Sequence, residues 1–150
     1  MNDYLDQKNN LDSLYNRFPK LENFEDQILE KQNNYDNNNR SILVPTLEKQ
    51  YSKIETSVLT KQNIEALNNP NTFTITTGHQ LNLFSGPLYF LYKIISTINL
   101  TTELKAKYPT SNFVPIYWMA TEDHDFEEIN YFNFKGKKFR WNKESTGPVG

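Results

Sequence analysis

Phe73-Thr74-Ile75-Thr76-Thr77 runs directly into Gly78-His79-Gln80-Leu81-Asn82-Leu83-Phe84-Ser85-Gly86-Pro87, and this stretch decides the fold. The first five residues are β-branched or aromatic, the composition of a short strand. Two glycines bound the loop that follows. Pro87 stands at a helix first-turn position, with Ser85 or Gly86 as the expected cap. Leu88, Leu91, Ile95, Ile98 and Leu104 mark a helix lasting to about Lys107, stopped before Pro109. Beyond it, Phe113-Val114-Pro115-Ile116-Tyr117-Trp118-Met119 is almost continuously apolar, as a strand buried on both faces would be. Pro115 fits poorly there, because a central strand cannot spare an N–H. Strand, helix and strand in this order make a βαβ unit with parallel strands, and hence an α/β fold.

Working outward, Ile129 to Trp141 alternates around Lys135-Gly136-Lys137-Lys138 and reads as a hairpin. The opposite direction is helical and polar. Phe24, Ile28 and Tyr35 would share one face of a helix over 22–35. The run Asp36-Asn37-Asn38-Asn39 has loop composition. Leu47, Tyr51, Ile54 and Val58 suggest a further helix after Ser41 as N-cap, with Pro45 in its first turn. Thr60 is the expected cap of a short helix to Leu67, closed by Asn68-Asn69-Pro70. The expected division is a helical region over 1–70 and an α/β region over 71–150.

Composition narrows the function classes. Sixteen Lys and Arg against eighteen Asp and Glu leave a net charge of −2, which argues against recognition of nucleic acid by gross charge. With no Cys there is no disulfide framework, thiolate zinc site or cysteine nucleophile. No stretch approaches the ~18 apolar residues of a membrane span, and Asn2-Asp3 after Met1 does not open a signal peptide. A cytoplasmic protein with no membrane partner is expected. Ten Phe and nine Tyr disfavour disorder despite a mean hydropathy of −0.74.

The carboxyl ends of parallel strands share one sheet edge, where open α/β sheets bind ligands. Both histidines, His79 and His124, fall in the two loops at that edge, together with Glu122, Asp123 and Asp125. The helix starting at Pro87 adds free N–H groups and a positive dipole end, suited to a phosphate or carboxylate. Neither the Walker pattern nor Gly-x-Gly-x-x-Gly is present. Glu122-Asp123-His124-Asp125 admits three readings: a Mg²⁺ or Mn²⁺ site, acid–base chemistry with His124 near neutrality, or a solvated strand end.

Thr76 to Tyr89, followed by Tyr92-Lys93-Ile94-Ile95-Ser96, resembles the cysteine ligase family of bacillithiol synthesis, BshC. Phe113 to Glu128 resembles the same family equally closely. The resemblance implies a Rossmann-like core related to class I aminoacyl-tRNA synthetases, of which this chain carries the first βαβ unit plus a hairpin. It also implies a coiled-coil part used in homodimerisation. Members are several times longer, so the chain reads as an N-terminal piece, inactive alone. The implied reaction is a carbon–nitrogen ligation that joins cysteine to the amino group of glucosaminyl-malate, with ATP activating the carboxylate and Mg²⁺ a possible companion. No His-x-Gly-His is present, so only the place of the synthetase nucleotide signature is shared.

On the shared-edge argument and the resemblance together, the candidate catalytic residues are His124, Asp123 and His79. His124 or Asp123 would be the base, and His79 would stabilise phosphate charge. Candidate substrate- or nucleotide-binding residues are Thr77, Gly78, Gln80, Asn82, Gly86, Pro87, Tyr89, Lys93, Thr121, Glu122 and Asp125; no structural metal is expected. Two other classes compete: a metal-dependent hydrolase or nucleotidyl transferase built on Glu122 to Asp125, and a non-catalytic assembly module.

Overall fold

The computed structural model describes residues 2–149, so Met1 and Gly150 lie outside it. The chain divides into two compact units, the first ending at Ile54 and the second beginning at Glu55.

The first unit is helical. α1 (Asn2–Leu5) is a single turn, and its Tyr4 packs against Tyr15 and Phe18 with ring centroids 5.3 and 5.1 Å away. α2 (Phe24–Asn34) buries Ile28, as the spacing predicts. Its Glu30 carboxylate accepts from Asn16 and Arg17, and these hydrogen bonds, Asn16's first, hold the carboxyl below its usual range. α3 (Asn38–Tyr51) starts earlier than Ser41, inside the asparagine run. Asp36 Oδ1 accepts from the Asn38 N–H at 2.9 Å, which satisfies an orphan donor and lets the helix begin there. Pro45 therefore lies in the helix interior, where the Ser41 carbonyl has no N–H to accept. Ile54 and Val58 fall outside this helix, and Val44 is its buried residue, so the expected four-residue stripe does not form.

In the second unit α4 (Val58–Ala66) is capped by Ser57, whose hydroxyl accepts from the Thr60 N–H at 3.1 Å. Thr60 itself sits in the first turn, because the cap is the last extended residue and Ser57 holds that conformation. β1 (Thr72–His79) pairs in parallel with β2 (Asn112–Met119), in a register running from Thr72 opposite Asn112 to His79 opposite Met119. The ladder carries β1 two residues past Thr77, so Gly78 and His79 are strand residues rather than loop. Among the described residues β2 pairs only with β1, and on such an edge Pro115 is tolerated. Phe113 and Val114, adjacent and therefore on opposite faces, are both buried; Trp118 and Met119 at the carboxyl end are exposed.

A single 3₁₀ turn (Leu83–Ser85) leads to α5 (Leu88–Lys107). Phe84 is left-handed at φ 53°, and Gly86 takes φ 60°, ψ −158°, a region open to glycine. Pro87, extended at ψ 155°, is the N-cap itself rather than a first-turn residue, and Ser85's side chain lies outside what is described. α5 packs on both strands and buries Thr97, Thr101 and Leu104. Thr97 and Thr101 turn their hydroxyls back onto the carbonyls four residues earlier, which satisfies them against the sheet. Leu88, Leu91, Ile95 and Ile98 are exposed, so of the apolar residues that mark this helix only Leu104 is buried. Two strands cover only one side of a helix, and Thr97, Thr101 and Leu104 occupy it.

After β2 comes the short α6 (Phe126–Ile129), then a hairpin of β3 (Tyr131–Phe134) and β4 (Lys137–Arg140). Lys135 and Gly136 both have positive φ, as a type I′ turn requires. Among the described residues no helix is long and apolar enough to cross a membrane.

Three outcomes follow. Leu104→Ala, at a fully buried position, lowers stability by ~2–5 kcal/mol in thermal or denaturant unfolding. Gly86→Ala destabilises more than Gly136→Ala by the same measure: both glycines have positive φ, but a Cβ on Gly86 would lie 2.5 Å from Asn82 Cβ, whereas one on Gly136 meets nothing within 4 Å. Because Glu30's carboxyl is depressed in the fold, its contribution is present above the unfolded carboxyl pKa and fades as pH falls through the folded one. Acid titration of Glu30→Gln therefore shows a shallower loss of stability over that range than the parent.

Candidate functional site

The parallel register sets the ends of β1 and β2 side by side, and the backbone of the second loop starts at the first: the Ala120 N–H donates to the His79 carbonyl at 3.3 Å. Tyr117 Oη donates to the same carbonyl at 2.7 Å, and burial raises the phenol's pKa. At Gly78 a Cβ would come within 3.1 Å of Trp118 Cβ and 3.2 Å of its carbonyl, so close strand approach there depends on glycine.

His79 is held on several sides. Its Nδ1 lies 2.9 Å from the Gln80 carbonyl, and its Nε2 lies 2.8 Å from Tyr89 Oη. A carbonyl only accepts, so the first bond needs the proton on Nδ1, and the neutral ring then accepts from Tyr89 at Nε2. Asn82 Nδ2 donates to the same Gln80 carbonyl at 3.0 Å, which ties the loop across its own base. Phe90 sits edge-on between His79 and Tyr117, with centroid separations of 6.0 and 5.6 Å. Tyr89, the second residue of α5, thus joins the strand end to the helix start. Lys93 donates to the Gly78 carbonyl, which draws its ammonium back toward the sheet.

On the second loop the acidic side chains go separate ways. Glu122 accepts from Trp118 Nε1 at 3.2 Å. Asp123 Oδ1 accepts from the Asp125 N–H at 3.0 Å. That backbone N–H first, then the Gln80 amide, holds the Asp123 carboxyl below the ordinary carboxylate range, with smaller help from the His124 N–H and ring. Gln80 and Asp123 therefore stand together, one from each loop. The Asp123 carbonyl accepts from Val149 N–H at 2.9 Å, so the segment beyond the hairpin returns to this loop. His124 is exposed, and its ring has no hydrogen-bond partner among the described residues; Thr121 and Asp125 are exposed as well, while Thr77 is half-buried in the ladder. Among the described residues no three His, Asp or Glu side chains gather as a cation site would need.

Gly86, Pro87 and Tyr89 also line a cleft of about 820 Å³ together with Asn82, Phe84 and, across from them, the hairpin residues Tyr131 to Phe134. Phe84 meets Phe132 edge-on at 5.0 Å. Glu128 lines the same cleft, whereas Glu127 accepts from Arg140 at 2.6 Å. The hairpin wall escaped sequence reading, because nothing local to Tyr131 to Phe134 indicates which loop it faces. Tyr117 and Phe90 read as ordinary core aromatics, and only the strand register reveals what they touch.

Residues 1–150 match the family described as bacillithiol biosynthesis BshC, N-terminal Rossmann-like domain. The chain is 79% identical over 148 residues to a protein of Flavobacterium johnsoniae named "Putative cysteine ligase BshC", covering 99% of this chain and 28% of that protein. A protein of the same name from Cytophaga hutchinsonii is 45% identical over 148 residues, again 99% of this chain and 28% of the relative. One from Bacillus cytotoxicus is 41% identical over 115 residues, 73% of this chain and 21% of the relative. The chain thus spans little more than a quarter of the length of the first two. With its parallel β1–β2 pair, α5 crossover and full-length match, the chain belongs to the BshC family of bacillithiol biosynthesis, whose N-terminal domain is Rossmann-like.

Proposed function

We propose that the whole protein acts in the cytoplasm as an amide-forming ligase that joins the carboxyl group of cysteine to the amino group of glucosaminyl-malate, with ATP supplying carboxyl activation. One observation carries this reading: the two loops that most resemble the family meet at the carboxyl edge of a parallel strand pair, the ligand-binding edge of open α/β sheets. A role in bacillithiol synthesis agrees with the relatives' name, cysteine ligase. The homodimer, the coiled coil and any Mg²⁺ requirement belong to the same proposal for the whole protein.

The start of α5 fits a phosphate-bearing group. Twenty residues of helix point their positive end at the Gly86-Pro87 turn, and the first N–H groups have no helical acceptor. Gly86, Pro87 and Tyr89 line the aromatic cleft, so a planar base and a phosphate chain would find stacking surface and N–H donors side by side. His79, tied to Tyr89, would fix the geometry of this corner rather than move freely.

In the ligation, the amine nitrogen attacks the activated cysteine carbonyl carbon. The carbon–nitrogen bond forms, the bond to the phosphate-bearing oxygen breaks, and one proton must leave the nitrogen. Of the two candidate bases His124 suits this better. It is exposed and its ring has no hydrogen-bond partner among the described residues, whereas Asp123 is held ionised by N–H donors and is correspondingly weak as a base.

The full-length protein, incubated with cysteine, glucosaminyl-malate and ATP, is expected to form the amide and consume nucleotide, both read by mass spectrometry. Product without ATP removes the activation step; no product under any condition removes the assignment. His124→Ala is expected to lower kcat by about 10²- to 10⁴-fold, the usual contribution of a general base, with a smaller effect on KM.

A further inference from the structure

Gln80 is the most anomalous side chain in the second unit. It is 2% exposed, yet neither its Nε2 nor its Oε1 has a hydrogen-bond partner among the described residues. Leaving a buried primary amide unpaired is costly, and buried polar groups are nearly always satisfied. The Gln80 carbonyl accepts from the His79 ring and from Asn82, so the residue is anchored at its main chain. Gln80 follows His79, whose carbonyl takes the Ala120 N–H, and the Ala120 carbonyl in turn takes the Asp123 N–H, so the two residues stand where the loops meet; the Gln80 amide there helps hold the Asp123 carboxyl below its ordinary range.

We infer that Gln80 and Asp123 together form the acceptor for a primary ammonium group of the substrate, and that this ammonium is the α-amino group of cysteine. The inference rests on the ligase reading above. A carboxylate and an amide oxygen side by side offer one anionic and one neutral acceptor. A primary ammonium has three donors and no acceptor, and it fills both. Asp123 Oδ1 is already committed to the Asp125 N–H, which fixes the carboxylate and leaves its remaining lone pairs for the ligand. A divalent cation would need further oxygen or imidazole ligands converging on the same point, and Glu122 is instead turned to Trp118.

Chemistry then separates the two amines of the reaction. The sugar amine has to be neutral to attack, and an anion at its side would keep it protonated. The cysteine amine must do the reverse. If neutral, it would compete for activated carboxyl groups and give cysteinyl-cysteine. A fixed carboxylate backed by a buried amide holds it as an ammonium. Asp123 and Gln80 are on this account specificity groups that both contact the substrate ammonium.

The test uses the full-length protein and compares cysteine with 3-mercaptopropionate, which lacks the α-amino group. Amide formation by the parent enzyme from cysteine checks the ligase reading. Calorimetric titration of each donor checks the ammonium contact even if no product forms, so the two fail separately. Asp123→Asn and Gln80→Leu are each expected to raise the KM or Kd for cysteine by about 10- to 100-fold, the worth of a charge-assisted bond, with less change in kcat. Both variants narrow the preference for cysteine over the analogue, and cysteinyl-cysteine rises among their products. Gln80→Leu keeps or raises Tm, because it removes an unpaired buried amide without leaving a cavity. Unchanged cysteine affinity in both variants overturns the inference. So does a fall in Tm for Gln80→Leu with unchanged KM, which marks a merely structural role. Loss of Mg²⁺ binding in Asp123→Asn, titrated with the metal alone and with cysteine affinity intact, overturns it in favour of a cation site.

Discussion

Everything at the candidate site depends on the parallel pairing of β1 with β2. Antiparallel strands would have needed only a short turn; parallel ones need a crossover long enough to return the chain to the same starting edge. α5 is that crossover, and the same geometry places its N-terminus, the end of β1 and the end of β2 at one edge. The pairing continues to His79 opposite Met119, and at Gly78 a Cβ would crowd Trp118 at 3.1 Å. Residues 38 positions apart are thus brought to hydrogen-bonding distance, as when Tyr117 donates to the His79 carbonyl.

Two kinds of polar organisation sit at this edge. Around His79 donors and acceptors are matched: Tyr89, Asn82 and the Gln80 carbonyl fix the ring and the loop base. Around Gln80 and Asp123 they are not, since a buried amide stands idle beside a carboxylate held ionised by backbone N–H groups. The first arrangement gives rigidity, and the second leaves interaction capacity unspent. A site that binds a charged substrate needs both, because a fixed acceptor loses less on binding than one that must first be ordered.

The packing of α5 has a similar asymmetry. The face toward the strands carries Thr97, Thr101 and Leu104, while Leu88, Leu91, Ile95 and Ile98 are exposed. Apolar spacing identifies a helix and its two faces, yet which face meets the strands follows from the path of the chain into and out of the helix. The Gly86-Pro87 turn, with its positive φ and extended proline, sets that entry.

Local chemistry in the sequence determined the helices, strands and turn types wherever short-range forces dominate. β-branched runs at Phe73 and Phe113, the hairpin turn at Lys135-Gly136 and the stop before Pro109 were all legible, as was the placing of both histidines at one sheet edge, although His79 ends β1 rather than lying in the loop. Caps were less legible: Asn37 rather than Ser41, Ser57 rather than Thr60, and Pro87 itself, because several adjacent residues could supply the same acceptor or dihedral and only the chain's path selects one. Tertiary structure alone decided that Gln80 is buried beside Asp123, that Glu122 turns to Trp118 and that the hairpin faces the Asn82–Tyr89 loop. Those outcomes are contacts between segments distant along the chain. Their energies depend on register and burial, which no local pattern of residues encodes.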